Sequence, residues 1–442
     1  MTANVVAMSE RNSSDKGDTH ATGDPIAPGG RIAGDAVIVG GGLVGLSLGH
    51  ALARSGLDAI VVDREAPATR TDAGYDGRSS AIAYGSRCVL AGLGLWEHLA
   101  EHACPILDIR VSDGQSKLFL HYDHRQVGDE PLGHIIENTA IRRALSQQTG
   151  AARGLDGGRL VHIAPAEVRG LERRSGRVEA VLADGCRISA SLAIAADGRQ
   201  SPIRVGAGIG ATEWAYQQTG IVCTVAHDRP HRNVAHERFL PAGPFALLPM
   251  TRLADHPQRS SIVWTERAAL APAMMKLDDA AFSAEMTRRF GDYLGPLRVI
   301  GRRWAYPLAL LHAERYVAAR LALVGDAAHA IHPIAGQGLN LGLRDVAALA
   351  EVIVDAHRLG LDIGNALVLE RYERWRRFDS TALIAVTDAL NRLFSTGAAP
   401  VRLARDLGLA VVDRLPPLKR LLMRHAMGVV GDLPRLVRGE RL

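Results

Sequence analysis

The sequence predicts an α/β fold. A nucleotide-binding domain built on a parallel sheet is expected to carry an inserted, mainly antiparallel β-sheet domain and a C-terminal helical region. Three observations support this. A glycine-rich turn joins an apolar strand to a helix within residues 35–54, short strand patterns and helices alternate up to residue 206, and strand patterns without intervening helices occupy residues 219–266. With 442 residues, the chain is long enough for about two or three such units.

The first element is the glycine-rich turn. Ala36–Val39 is a short, β-branched apolar run, and Gly40, Gly42 and Gly45 follow it with GxGxxG spacing. In such a turn the first glycine permits the sharp bend, the second lets the backbone approach a pyrophosphate, and the third lets the helix pack closely. The amides at the start of the helix predicted over residues 44–54 suit a diphosphate. The pattern predicts a Rossmann-like dinucleotide site.

A second strand supports this interpretation. Residues 58–62 form an apolar run that ends at Asp63, where a carboxylate is expected to bind the hydroxyls of an adenosine ribose. Membrane insertion is the alternative, because residues 36–53 carry no charged side chain. That run is short for a membrane span and contains five glycines and His50, so a soluble strand, turn and helix fit it better.

Composition and charge bound the class of protein. Hydrophobic residues make up 47% and charged residues 22%, which is typical of a globular protein. The cysteines, at positions 88, 104, 186 and 223, form no CxxC pair, which argues against a disulfide framework or a zinc site and favours a reducing, cytoplasmic location. Residues 1–32 are polar, contain no secretory signal and are predicted to be a disordered leader.

The basic residues are concentrated at the C-terminus. The net charge is +5, and residues 402–442 carry nine basic and four acidic side chains, which accounts for the whole excess. Around Pro416 and Pro417 these charges alternate with leucines, as in an amphipathic helix that lies on a membrane surface. We expect a membrane surface, and not a nucleic acid, as the partner. A solvated helical face is the alternative.

Three further stretches carry candidate site residues. Arg78 lies in a polar turn soon after the nucleotide unit, where it could reach a cofactor or simply face solvent. Asp197 follows an apolar strand and precedes a helix start, which places a carboxylate at the ligand crevice of an α/β sheet. Asp326 likewise follows a buried strand, before a loop rich in glycine and a long amphipathic helix. His329 and His332 in that loop lack the partners of a metal site, so no metal is predicted.

The order of these signals carries a family resemblance. GxGxxG with Asp63, Asp197-Gly198-x-x-Ser201-x-x-Arg204 and Gly325-Asp326-Ala-Ala-His329 together resemble the flavoprotein aromatic hydroxylases of the para-hydroxybenzoate hydroxylase type. His332-Pro-Ile-Ala-Gly-Gln-Gly-Leu-Asn340-x-Gly342-x-x-Asp345 is similar to the signature of the ubiquinone-biosynthesis hydroxylase family. The resemblance covers about residues 33–433 and implies a Rossmann-like FAD-binding domain.

The resemblance also implies roles for individual residues. Gly40, Gly42 and Gly45 would hold the FAD diphosphate, and Asp63 and Arg64 would bind the adenosine, although the family often has Glu at position 63. Arg78 and Asn138 would line the FAD cleft, Asp197 would serve both FAD and NAD(P)H, and Asp326 would bind the ribityl chain. The residues facing the isoalloxazine ring would be Pro333, Gly336, Gln337, Gly338, Leu339 and Asn340. No catalytic base is assigned. His332 is either a proton carrier near the ring or a packing residue.

The predicted domains follow from these elements. They are a leader at 1–32; an FAD-binding domain at 33–105, 136–206 and 305–360; a substrate domain at 106–135 and 207–304; and a C-terminal helical region at 361–442. Helix-like spacing of apolar residues after Asn365, including Phe378, Leu390 and Phe394, is interpreted as core packing.

The function implied by the resemblance is an FAD-dependent monooxygenase. Such an enzyme uses NAD(P)H as a transient reductant and O2 to hydroxylate the ring of a polyprenylated phenol, at the inner membrane and in company with other quinone-biosynthesis proteins. No separate nicotinamide motif is present in the sequence, which fits transient binding of NAD(P)H. Two alternatives remain: a flavin oxidoreductase acting on another lipid or aromatic substrate, and a non-catalytic FAD-binding scaffold of a membrane-associated assembly.

Overall fold

The computed structural model describes residues 30–72, 74, 77–114, 116, 119–149, 157–332, 336–395, 405, 408 and 411–442. The strands are, in chain order, β1 Arg31–Ala33, β2 Ala36–Val39, β3 Ala59–Val62, β4 Ser79–Ala83, β5 Cys104–Ile106, β6 Asp108–Asp113, β7 Phe119–Asp123, β8 Gly133–Glu137, β9 Leu160–Ile163, β10 Val168–Arg173, β11 Val178–Leu182, β12 Arg187–Ala190, β13 Leu192–Ala195, β14 Ala211–Ala226, β15 Val234–Leu240, β16 Gly243–Pro249, β17 Arg259–Arg267, β18 Arg298–Ala313, β19 Val317–Ala318, β20 Leu321–Leu323 and β21 His329–Ala330. The helices are α1 Leu43–Arg54, α2 Pro67–Thr71, α3 Tyr84–Gly92, α4 Asn138–Thr149, α5 Pro202–Gly206, α6 Ala271–Lys276, α7 Asp279–Phe290, α8 Gln337–Arg358, α9 Ala366–Ser395 and α10 Pro416–Ala426.

The nucleotide sheet has six strands in the order β19-β20-β13-β2-β3-β9, and all of its pairings are parallel except β19 with β20. Its central strands are fully buried because they are short runs of apolar and β-branched residues covered on both faces. Helices α1 and α8 contribute to the same core. The carboxyl ends of β2, β3, β13 and β20 meet at one edge, so Gly40, Asp63, Asp197 and Asp326 all follow strands that end there.

The large sheet has eight strands in the order β21-β18-β14-β17-β16-β15-β6-β7. It is antiparallel except between β15 and β6, where Val234 pairs with Asp108. The prediction of a mainly antiparallel sheet is confirmed. The hairpin β6–β7, although it comes early in the chain, belongs to the same sheet as residues 211–313.

One face of the large sheet is a core and the other lines a cavity. Because side chains alternate along a strand, Ile221, Phe245 and Trp264 pack with helices α6 and α7. Their neighbours Val222 and Val263 line the cavity. The large sheet therefore forms a wall between this core and the cavity.

Two predicted boundaries are corrected. Arg31 pairs with Arg187, so ordered structure begins inside the range predicted as a leader, whereas residues 1–29 lie outside the described residues. Strand β18 runs through the boundary placed between residues 304 and 305. Gly301 and Pro307 interrupt its sequence pattern, but an outer strand that pairs with β21 only near its end can tolerate proline.

Two smaller sheets complete the β structure, with strand orders β1-β12-β11-β10 and β4-β8-β5. The C-terminal part is helical, as predicted: its described residues include α9, a helical stretch at 411–414, α10 and a 3-10 turn at Arg435–Arg438. In the described part of the chain, no helix combines the length and the apolar character needed to cross a membrane.

Candidate active site

The carboxyl edge of the nucleotide sheet opens into a cavity of about 1160 Å³. Most of the predicted site residues line it: Gly40, Gly42, Asp63, Arg64, Arg78, Asn138, Asp197, Asp326, Gly336, Gln337, Gly338, Leu339 and Asn340. Gly45 does not line the cavity, and Pro333 lies outside the described residues. The fold thus brings together residues that lie up to 300 positions apart in the sequence.

Each glycine of the GxGxxG turn is favoured at its position for a different geometric reason. Gly40 has a φ of 108°, and a side-chain carbon there would lie 2.3 Å from the carbonyl oxygen of Ala196. A side-chain carbon on Gly45 would lie 1.9 Å from the carbonyl oxygen of Gly40, so Gly45 brings helix α1 against the turn. Gly42, the residue before α1, has no atom within 4 Å of that position, which leaves room for a ligand at the amide end of the helix.

Asp63 is 2% exposed and is held from one side. Its Oδ1 accepts hydrogen bonds from the amide of Glu65, at 2.9 Å, and from Nη2 of Arg70, at 3.0 Å. Its Oδ2 is buried and has no hydrogen-bond partner. A buried carboxylate oxygen without a donor is costly unless a bound group supplies one, as a ribose hydroxyl would. Arg70 and Arg142 also line the cavity, although no sequence motif marks either residue.

Arg78 and Asn138 lie side by side in the cleft. The Arg78 guanidinium stands 5.0 Å from the centre of the Tyr306 ring, which orients the side chain through a cation–π contact. The backbone amide of Asn138 donates a hydrogen bond to the backbone carbonyl oxygen of Arg78, at 3.0 Å. The side-chain Oδ1 of Asn138 accepts a hydrogen bond from the hydroxyl of Ser80, at 2.6 Å. Arg78 therefore lines the cavity with its guanidinium against Tyr306, although the residue as a whole remains exposed.

The turn after β13 is joined to the turn after β20. Burial raises the pKa of Asp197, whose Oδ2 accepts a hydrogen bond from the amide of Ile203, at 3.2 Å. Arg204 is 4% exposed, and its Nη1 donates to the carbonyl oxygens of Arg199 and Ala327, each at 3.0 Å. The arginine of the Asp-Gly-x-x-Ser-x-x-Arg pattern thus holds the two turns at a fixed separation.

Asp326 lies in a 3-10 turn, and a buried ionic network supports that turn from behind. The Asp345 carboxylate accepts hydrogen bonds from the amide of Gly325 (2.9 Å), Nε2 of His329 (2.6 Å) and Nε of Arg376 (2.8 Å). Burial alone would raise the pKa of Asp345, but His329 and Arg376 outweigh it and hold the pKa below its usual value. His329 is therefore a structural partner of a carboxylate. The described residues contain no cluster of potential metal ligands.

The loop that leads into helix α8 is held by Asn340. Its Oδ1 accepts a hydrogen bond from the amide of Ala83 (2.9 Å), and its Nδ2 donates to the carbonyl oxygens of Ala81 (2.8 Å) and Gly336 (3.0 Å). Gly336 has a φ of 63° and precedes the helix, and no atom lies within 4 Å of a side-chain carbon built on Gly338. The amide end of α8 therefore faces open space, as the end of α1 does.

His332 lies behind this loop and does not line the cavity. It is fully buried; its ring meets that of Tyr216 edge to face, with 5.0 Å between centres, and its Nε2 is 3.3 Å from Oε1 of Gln218. Burial lowers the pKa of His332 to about 4, so the imidazole is neutral at physiological pH. This position fits a packing role better than direct contact with a bound ring.

Beyond the nucleotide residues the cavity continues as an apolar arm between the large sheet and the C-terminal helices. Its walls include Ile109, Val111, Leu120, Phe239, Leu248, Leu383, Val386, Leu390, Phe394, Val412 and Leu422. Phe239 and Phe394 stack with ring centres 3.9 Å apart. The interpretation of the α9 residues as core packing is only partly correct: Leu390 and Phe394 line the arm, and Phe378 is 81% exposed.

Comparison with known proteins assigns the family. The family described as FAD binding domain matches residues 34–384. Ubiquinone hydroxylase UbiL of Rhodospirillum rubrum is 50% identical over 431 residues, which cover 96% of this chain and 98% of the relative. The chain belongs to the FAD-dependent hydroxylases of ubiquinone biosynthesis. The 3-demethoxyubiquinol 3-hydroxylase of Escherichia coli is 34% identical (89% and 98% coverage), and the human monooxygenase COQ6 is 32% identical (89% and 92% coverage).

Solved structures agree on the fold. The p-nitrophenol 4-monooxygenase PnpA of Pseudomonas putida superposes with a TM-score of 0.73 at 19% identity, over 90% of this chain and 98% of that one. PqsL of Pseudomonas aeruginosa gives 0.68 at 20% identity, over 85% and 100%. The prediction of an FAD-binding α/β fold and of an FAD-dependent monooxygenase is confirmed.

The residues present fit FAD. The buried Asp63 Oδ2, which has no hydrogen-bond partner, would accept from a ribose hydroxyl, and the open space at Gly42 and Gly338 would let helix amides approach a diphosphate and a ring system. Bound FAD supplies the redox and oxygen chemistry of this hydroxylase, with NAD(P)H as the reductant typical of the family. The protein positions the groups and excludes water.

Proposed function

We propose that this hydroxylase oxidises the ring of a polyprenylated phenol, with the ring near residues 336–340 and the prenyl tail in the apolar arm. The observation that carries the proposal is the continuity of the cavity, because one space connects Asp63 and Asp326 to Leu390 and Phe394. A small polar phenol would gain nothing from such an arm, whereas each buried methylene of a prenyl chain contributes about 0.8 kcal/mol.

The two ends of the cavity differ in the polarity of their walls. At the ring end, the Asn340-held loop and the amide end of α8 provide rigid, polar backbone. At the tail end, aliphatic and aromatic side chains exclude water from the reaction space, which limits side reactions there.

We also propose that α10 docks on the cytoplasmic face of the inner membrane. Leu418 and Leu421 are 39% and 53% exposed, and they lie near the exposed, positively charged side chains of Arg420 and Arg424 on the same helix. Leu422, at 37% exposure, also lines the cavity, so the apolar arm approaches the surface next to this helix. A prenylated substrate could pass from the bilayer into the arm there, and other proteins of quinone synthesis could meet the same face.

The proposal is tested with purified holoenzyme, NAD(P)H and two phenols that share a ring and differ only in the presence of a prenyl tail. Mass spectrometry should detect one added oxygen, with a far higher kcat/KM for the tailed phenol. Equal rates for the two phenols would contradict a role for the apolar arm. NAD(P)H oxidation without any oxygenated product would contradict the substrate class.

The cellular counterpart is a deletion strain. Accumulation of a polyprenyl phenol lacking one oxygen would assign the ring position from the structure of the intermediate. If the quinone pool stays normal and the purified enzyme oxygenates other aromatic compounds, the substrate lies outside quinone synthesis.

A further inference from the structure

Two buried polar atoms without hydrogen-bond partners lie behind the adenosine site. One is Oδ2 of Asp63, whose other oxygen is already held by Glu65 and Arg70. The second is Nε2 of His162, on strand β9. His162 belongs to no recognisable sequence motif and does not line the cavity. Buried side-chain nitrogens and oxygens are nearly always paired, so two such atoms in one region require an explanation.

The two atoms face the same point. Strands β3 and β9 are parallel neighbours with Val61 opposite His162, so the side chains of His162 and Asp63 project from the same face of the sheet. A side-chain carbon built on Gly41 would lie 2.6 Å from Oδ2 of Asp63 and 2.8 Å from Nε2 of His162. Both atoms therefore approach the bare backbone of Gly41, and the absence of a side chain there leaves the space between them open.

Their chemistry is complementary. An ionised carboxylate only accepts hydrogen bonds, and a neutral imidazole with its proton on Nε2 donates one. Burial lowers the pKa of His162, although Asp63 opposes the shift, so the neutral form prevails at physiological pH. A small side-chain rotation would pair Nε2 of His162 with one lone pair of Asp63 Oδ2 in a charge-assisted hydrogen bond. The second lone pair of Oδ2 stays available for the ribose hydroxyl.

We propose that His162 is a positioning residue of the adenosine site. Its Nε2 donates to Oδ2 of Asp63 and fixes the carboxylate in the orientation that receives the ribose hydroxyls of FAD. His162 acts through Asp63 and does not itself touch the cofactor. Arg70 and the amide of Glu65 hold the carboxylate from one side and His162 holds it from the other, so a short aspartate side chain is oriented without freedom to rotate.

The test compares two variants of nearly equal size. His162→Gln keeps an amide nitrogen close to the position of Nε2, whereas His162→Leu removes the donor. Apoprotein is titrated with FAD and with FMN, which lacks the adenosine, and flavin fluorescence gives each Kd. His162→Leu should raise the Kd for FAD by about tenfold to a hundredfold, the range for a hydrogen bond to a charged group. His162→Gln should stay within about threefold of wild type on the same scale, and the Kd for FMN should not change.

A double-variant cycle separates positioning from packing. In an Asp63→Asn background, His162→Leu should have little further effect on FAD binding, because the carboxylate on which it acts is gone. Three results would overturn the proposal: an unchanged Kd for FAD in His162→Leu, equal losses in the Gln and Leu variants, or the same loss with and without Asp63. Thermal unfolding of each apoprotein confirms that the variants are folded.

Discussion

Replacing Asp345 with asparagine should destabilise the protein and also loosen its hold on FAD. The carboxylate is fully buried and accepts from the Gly325 amide, His329 and Arg376 at 2.6 to 2.9 Å. Asparagine has nearly the same shape, but it removes the charge and turns one acceptor into a donor that faces another donor. Breaking a buried ion pair in this way costs about 3 to 5 kcal/mol. Because the lost acceptor also fixes the turn before Asp326, we expect the Kd for FAD to rise at least about tenfold.

Asp113→Asn is the matched control. Asp113 is 4% exposed, and its Oδ2 accepts a hydrogen bond from Nε of Arg405 at 2.8 Å and forms an ion pair with Nη2 at the same distance. It is thus also a buried carboxylate paired with an arginine, but it lies at the end of β6 in the large sheet. Urea unfolding of the apoproteins should give similar losses for both variants. Fluorescence titration with FAD should show weaker binding for Asp345→Asn alone. Equal FAD affinity in the two variants would refute the proposed coupling between the ionic network and the cofactor turn.

Four further predictions follow from the site and the surface. Gly42→Ala should weaken FAD binding but leave apoprotein stability unchanged, because the new methyl group enters the open space expected to hold the ligand. In Gly45→Ala the methyl group would lie 1.9 Å from the Gly40 carbonyl oxygen, so this variant should have a lower unfolding free energy in urea denaturation. Asp326→Ala should release FAD during purification, and unchanged flavin content would count against its role. Burial lowers the pKa of His50 and His332 to about 4. Below pH 6.5 these histidines are protonated in the unfolded chain, but in the folded chain they stay neutral until about pH 4. The unfolding free energy should therefore fall between pH 6.5 and pH 4, by up to about 3 kcal/mol per histidine. His50→Gln should make this decrease smaller. The double variant Leu418→Glu with Leu421→Glu should bind anionic vesicles less tightly than wild type in a sedimentation assay. The control double variant, Leu359→Glu with Leu361→Glu, changes exposed leucines between α8 and α9 and should bind as wild type does. Equal binding by the two double variants would exclude α10 as the membrane contact.

The nucleotide sheet could be predicted closely because its signals are local. Strand Ala36–Val39 has the predicted bounds, and helix α1 begins one residue before the predicted start. Strong β-branched runs bounded by glycine decide such elements within a few residues. The same locality explains why Gly40, Gly42 and Asp63, chosen from the sequence, line one cavity.

Other features depend on distant partners and left no clear trace in the sequence. Strand β18 was missed because glycine and proline break its alternation, and its pairing with β14 joins segments that are far apart in the chain. Along α9 the apolar spacing identified a buried stripe, but it could not tell whether protein or a cavity faces Leu390 and Phe394. His162 has no sequence motif, since its significance arises from the neighbouring strand and the bare backbone of Gly41.

The order of strands in the two major sheets has a consequence for biosynthesis. Strand β6 pairs with β15, more than a hundred residues later, and the nucleotide sheet is incomplete until β20 emerges. A nascent chain on the ribosome therefore cannot complete either sheet early. Strands β2, β3 and β13 can pair once residue 195 is made, but the apolar core that they share with helix α8 stays incomplete until residues 337–358 follow. Productive expression should accordingly depend on chaperones that protect the first two hundred residues, more strongly than the ordinary composition of the chain suggests.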